Sequence, residues 1–110
     1  MDQRLRLEIG RLVSDMSAGR WEDIVADGRI GRCETSDIVR VIFEYGRTLV
    51  DLPSAVWDFV DVFEIVESGN LRLDVPLWTK EEGRSDLMLF ICSIPSEEKF
   101  NIYIHDVRVP

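Results

Sequence analysis

Residues Leu71 to Ile94, LRLDVPLWTKEEGRSDLMLFICSI, leave the chain little choice but to pair two strands across a short polar corner. Leu71, Leu73, Val75 and Leu77 alternate with Arg72, Asp74, Pro76 and Trp78, the period-two pattern of a half-buried strand. Pro76 has no N–H to donate to a ladder, which predicts a sheet edge or a bulge at that point. Thr79 stands three residues before Glu82, and Gly83 follows. That is the spacing of a capping box closing one helical turn, with a left-handed exit at the glycine. After Arg84 and Ser85 the chain reads DLMLFICSI, apolar on both faces, which belongs in the middle of a sheet.

The upstream chain reads as cover for one face of those strands. Leu5, Ile9, Leu12, Val13 and Met16 recur at helical spacing, with Arg4, Glu8, Arg11 and Asp15 away from that stripe and Gly19 as a stop. A second short helix is expected over Arg20 to Ala26, with Trp21, Ile24 and Val25 on one side. The following DGRIGRCET is a loop. Thr35 or Ser36 is expected to cap a third helix that runs through Tyr45 on Ile38, Val41, Ile42 and Tyr45 and ends at Gly46. Thr48 to Leu52 is short and extended, and Ser54 caps a turn or two through Trp57 and Phe59. A strand is predicted over Val60 to Glu67, with a turn at Glu67 to Asn70. Pro95 to Lys99 is a polar turn. In the closing strand FNIYIHDVRV, Phe100, Ile102 and Ile104 face one side, with Asn101, Tyr103 and His105 opposite.

Helices followed by strands imply an α+β protein, a single domain over residues 1–110, with N-terminal helices packed on a C-terminal antiparallel meander of about four strands. In order of elements this is similar to the cone-shaped folds of the nuclear transport factor 2 and cystatin types.

Apolar residues are 45% and charged residues 31%, the profile of a folded chain. The longest apolar run is far short of the roughly 20 residues of a membrane span. The opening MDQRLRLEIG lacks the apolar core of a secretory signal, so a cytoplasmic address is expected. Cys33 and Cys92 have no metal-type spacing and are expected to be reduced, with Cys92 in the core of its strand.

The net charge of -8 is distributed unevenly. Residues 1–32 carry six charges of each sign, whereas residues 51–70 hold Asp51, Asp58, Asp61, Glu64 and Glu67 and no basic residue. An acidic face argues against nucleic acid, whose phosphates require Lys and Arg, and suits a basic protein partner. Trp57, Phe59, Phe63 and Trp78 surround that stretch. Most of them read as core, but Trp78 shares its side of the strand with Arg72 and Asp74 and is expected at the surface. The candidate partner-binding residues are therefore Asp58, Asp61, Glu64, Glu67 and Trp78.

Catalytic chemistry has little to stand on. His105 is the sole histidine and has Asp106 beside it, but adjacent strand residues point to opposite faces unless a bulge intervenes. No serine or cysteine has an evident base, no carboxylate set has metal-ligand spacing, and Gly28 and Gly31 form no phosphate-cradling loop. No catalytic residue, metal or cofactor is assigned.

The segments DVPLWTKEEGRSDL (Asp74 to Leu87), EYGRTLVDLP (Glu44 to Pro53) and the terminal IHDVRV resemble a small bacterial family of unknown function. Its pattern runs EYGRTL, PLWT-EEGRSDL, then an IDDIHV-like last strand, and the likeness covers roughly the last two thirds of the chain. His105-Asp106 stands where such sequences often carry two acidic residues, which weighs further against a catalytic His105. In size and charge the chain also resembles the immunity proteins that neutralise toxins of neighbouring bacteria.

Two functions are open at this stage. One is a binding protein, such as an immunity protein blocking a basic toxin domain. The other is a small-molecule-binding or enzymatic cone fold with a pocket near Trp78, Tyr103, His105 and Asp106. A homodimer paired through the Pro76 edge or a sheet face is a third arrangement to test.

Overall fold

The structure, a computed structural model, describes residues 1–96 and 100–110; the end of the polar turn expected at Pro95 to Lys99 lies outside the described residues. Three helices come first: α1 (Gln3–Ser17), α2 (Trp21–Ala26) and α3 (Thr35–Tyr45). A 3-10 helix (Ser54–Phe59) leads into four strands, β1 (Asp61–Glu64), β2 (Leu71–Thr79), β3 (Gly83–Pro95) and β4 (Phe100–Arg108). The strands form one antiparallel sheet in the order β1-β2-β3-β4. The α+β meander expected from the element order is therefore observed.

Local signals mark the start of α1 and the end of α3. The Asp2 carboxylate accepts the Arg4 N–H at 2.7 Å and caps α1, whose stripe Leu5, Ile9, Leu12, Val13 and Met16 is buried throughout. At α3 the cap position falls to Glu34, without a side-chain hydrogen bond, and not to Thr35 or Ser36, which lie inside the first turn. Gly46, left-handed at φ 75°, ends α3 as the sequence predicts.

The helices cover one face of the sheet, here called the inner face. Leu73, Val75 and Leu77 of β2, Leu87, Leu89 and Ile91 of β3, and Ile102, Ile104 and Val107 of β4 join the α1 stripe, Ile24 and Ile38 in one buried cluster. β3 lies between β2 and β4, as its two apolar faces require. None of the three α-helices lies on the outer face. There Phe90, only 4% exposed, is covered by the guanidinium groups of Arg108 at 4.1 Å and Arg72 at 5.4 Å from its ring centre. Cys92 also turns to this outer face and is half-buried; the fully buried neighbour is Ser93.

Three local expectations are refined. The strand over Val60 to Glu67 shortens to Asp61–Glu64, because the N–H groups of Ser68 and Gly69 fold back onto the Ile65 carbonyl at 3.2 and 2.7 Å. The corner is a hairpin loop and not a helical turn, since Thr79 pairs directly with Gly83 and leaves residues 80–82 as the connection. Half of the capping box survives there: Glu82 N–H donates to Thr79 Oγ1 at 3.1 Å, and Gly83 is left-handed at φ 74°. Pro76 combines both expected explanations. β1 pairs with β2 only as far as Asp74, Leu49 bridges to Thr79, and Pro76 falls between, with the register shifting just beyond it.

Candidate functional site

The acidic stretch emerges at the β1 edge of the sheet. In the 3-10 helix, Val56 is buried and Trp57 half-buried beneath the Arg6 guanidinium, which leaves Asp58 and Phe59 exposed. The register Asp61↔Asp74 to Glu64↔Leu71 then places Asp61 and Phe63 on the outer face, and Val62 and Glu64 on the other. All four residues of β1 are exposed. The turn that follows raises Val66 to 88% exposure, with Ile65 and Glu67 exposed beside it. Phe59, Val62, Phe63, Ile65 and Val66 thus interleave with Asp58, Asp61, Glu64 and Glu67 along one open segment. None of these four carboxylates forms an ion pair among the described residues, whereas Asp74, one strand inward, is paired with Arg72 at 3.3 Å. Within β1, Asp61 and Glu64 point to opposite faces, as strand geometry dictates.

Trp78 lies on the outer face, on the side that alternation assigns, but is half-buried there. Its ring packs against Phe59 at 6.3 Å, and Arg84 in turn covers Phe59 at 4.2 Å. The outward aromatic groups of the stretch are therefore Phe59 and Phe63, the latter 50% exposed, and Trp78 supports them from below.

The residues of the pocket reading do not converge. Trp78 pairs with Arg84 at one end of β3 and Tyr103 with Cys92 at the other, roughly 27 Å apart along an extended strand. A bulge does occur at His105: Phe90 pairs with Asp106 and Ile91 with Ile104, so His105 is the extra residue and is exposed. Asp106 nevertheless turns to its own strand, accepting the Val107 N–H at 2.9 Å and pairing with Arg108. The Tyr103 hydroxyl is pushed above its ordinary pKa by its hydrogen bond with Cys92 and by burial. Among the described residues no three His, Cys, Asp or Glu side chains gather to hold a metal ion.

A second charged constellation, at the opposite edge of the sheet, escaped the sequence reading. Asp15 is buried on α1 and accepts from Arg20 Nε at 2.9 Å and from Arg29 Nη2 at 2.7 Å. Arg29, 6% exposed, also reaches Asp27 at 3.0 Å, and Arg11 meets Asp27 at 3.5 Å. Burial opposes ionisation of Asp15, but the hydrogen bonds and charges of Arg29 and Arg20 outweigh it and hold its carboxyl below the usual range. The segment bearing Arg29 is strapped to β4: Ile104 N–H donates to the Arg29 carbonyl at 2.8 Å, and Gly31 N–H to the Ile104 carbonyl at 3.0 Å. One signal pointed this way, the six charges of each sign within residues 1–32.

No helix among the described residues is long and apolar enough to cross a membrane. No curated protein and no solved structure matches the chain. The pattern of one protein family, described as a domain of unknown function (DUF7668), matches residues 13–110, and the chain belongs to that family.

Proposed function

We propose that the chain is a protein-binding module that engages a basic partner through the segment 58–67. One observation carries this reading: four exposed carboxylates without ion-pair partners among the described residues alternate with five exposed apolar side chains. A merely solubilising surface needs the charges but gains nothing from exposing Phe63 and Val66. Apolar anchors flanked by like charge suit a partner that supplies cations around an apolar contact. The finer form of the proposal is an immunity protein acting in the bacterial cytoplasm on a toxin domain such as a nuclease. A nuclease surface is basic because it binds phosphates, and an acidic, apolar edge competes for that surface.

The test is co-expression of the tagged chain with the C-terminal domain of the protein encoded by the neighbouring gene, followed by native mass spectrometry and association kinetics at two salt concentrations. A stoichiometric complex is expected, associating at ~10⁸ M⁻¹s⁻¹ or faster at low salt and more slowly as salt is added. Replacing Asp58, Asp61 and Glu64 with lysine should slow association at least tenfold. An association rate indifferent to salt and to these substitutions removes segment 58–67 from the function.

A further inference from the structure

Two stretches of the sheet's edges are bridged by other parts of the chain, and β1 is not among them. Along β4 the strap Arg29–Gly31 occupies Ile104, and along the far half of β2 the Thr48–Val50 segment does the same. There Val50 N–H donates to the Trp78 carbonyl at 3.1 Å, and Lys80 N–H to the Thr48 carbonyl at 2.9 Å. Among the described residues β1 has a partner on one side only. The direction of its free groups follows from the turn beside it. Ile65 N–H donates across to the Asn70 carbonyl at 2.8 Å, continuing the register toward β2. Successive residues of a strand aim their N–H and C=O groups to alternate sides, so Phe63 and Asp61 also bond to β2. Val62 and Glu64 point their backbone groups outward.

We infer that the partner adds an extended basic segment as a fifth strand, antiparallel to β1 and hydrogen-bonded to the outward backbone groups of Val62 and Glu64. This rests on the proposed function and specifies its mode of recognition. Strand addition draws affinity from main-chain hydrogen bonds and specificity from alternate side chains. Here the side chains ask for Lys or Arg opposite Asp61 and Glu64, and for apolar residues opposite Val62 and Phe63, a basic–apolar–apolar–basic run. A second copy of the chain is the wrong occupant. The antiparallel register that pairs β1 with a second copy over its full length sets Asp61 against Glu64 twice, with no Lys or Arg between residues 51 and 70 to intersperse them.

The probe is a capped peptide, Thr-Lys-Val-Tyr-Lys-Thr, titrated into the isotope-labelled full chain and followed by amide NMR and hydrogen exchange. Saturable binding is expected, with exchange at Val62 and Glu64 slowed at least tenfold. The same peptide with glutamate in place of both lysines should not bind. Val62→Pro removes an outward donor and no β2 ladder bond, so the amide spectrum should keep its dispersion while peptide affinity falls more than tenfold. Independently of that variant, the peptide methylated on the backbone nitrogens of its first Lys and its Tyr, the two that face Glu64 and Val62, should lose binding to the unaltered protein.

Equal binding of the methylated peptide, or an unslowed Val62 amide at saturation, would overturn strand addition while leaving the acidic segment as a docking surface. Absence of saturable binding would overturn it as well. Protection of Val62 and Glu64 that grows with protein concentration alone would identify the occupant as a second copy and overturn the basic-strand account. Failure of the proposed function itself would look different: the partner would associate at the same rate with the triple-lysine variant.

Discussion

The two edges of this sheet meet the same problem, a row of unpaired backbone groups, in opposite ways. At β4 the chain folds its own strap across the strand at Ile104 and anchors it through Arg29, whose buried guanidinium is held by Asp15 and Asp27. At β1, among the described residues, no strap is laid, and carboxylates of the same chemistry stand exposed and without an ion pair beside Val62 and Phe63. Charge serves architecture at one edge and is left available at the other. Sheet edges are liabilities that proteins cover, shorten or charge. β1 is short and charged, which guards against self-association, yet its apolar side chains remain uncovered. That combination suits a surface reserved for one kind of partner.

The sealed edge is where substitutions should cost most. Asp15→Asn leaves the Arg29 charge buried with Asp27 as its remaining carboxylate partner, and breaking a buried pair in this way costs about 3–5 kcal/mol. Urea unfolding should report that loss, and amide exchange at Ile104 should accelerate as the strap loosens. The loss should also depend on pH with a defined sign. The folded Asp15 carboxyl titrates below its ordinary range, so its contribution is complete above the unfolded value of ~4 and is lost as pH falls through the folded pKa. The gap between the native chain and Asp15→Asn should be flat from about pH 7 to 5 and narrow below ~4. A gap undiminished in acid would assign the effect to packing and break the electrostatic half of the comparison.

Gly31→Ala is the next in size and acts on the strap by shape. A Cβ at Gly31 would lie 2.9 Å from the Ile104 carbonyl oxygen and 2.7 Å from the Tyr103 ring. The carbonyl belongs to the bond that holds the strap and cannot swing aside as a flexible side chain would. Overpacking of this kind costs about 1–3 kcal/mol. Thermal unfolding should fall accordingly, and near-ultraviolet circular dichroism should register the displaced Tyr103. A melting temperature equal to that of the native chain would mean that the strap adds nothing to the β4 edge.

The sealed edge was the less legible of the two. The α1 stripe, the left-handed exits at Gly46 and Gly83, and the central place of β3 all follow from spacings of a few residues, and each is found in the fold. The strap does not. Arg29–Gly31 sits in a stretch that reads only as a glycine-marked loop, and its purpose depends on Ile104, far along the chain. Asp15 lies beside Met16 and reads as a solvated residue until Arg20 and Arg29 arrive in space. Likewise, the period-two pattern correctly put Trp78 on the outer face, but it could not reveal that Phe59 folds over it. The acidic segment was visible because charge density is a local property of sequence. That its apolar residues are exposed as well depended on β1 being four residues long and the sheet stopping there.

The smallest expected effect on stability is the most informative about the open edge. Asp61→Lys with Glu64→Lys alters two exposed side chains that make no ion pair among the described residues, so unfolding free energy should change by less than ~0.5 kcal/mol. The sign should lean toward stabilisation. Each substitution adds two units of charge, so the net charge moves from -8 to -4, which relieves self-repulsion. A surface selected for stability alone would not keep carboxylates whose reversal is neutral or better for the fold. The same double variant should associate with the proposed basic partner at least tenfold more slowly, because steering falls with the local field. If instead the double substitution destabilised the chain by more than ~1 kcal/mol, Asp61 and Glu64 would be supporting β1. The contrast between a structural edge and a reserved one would then disappear.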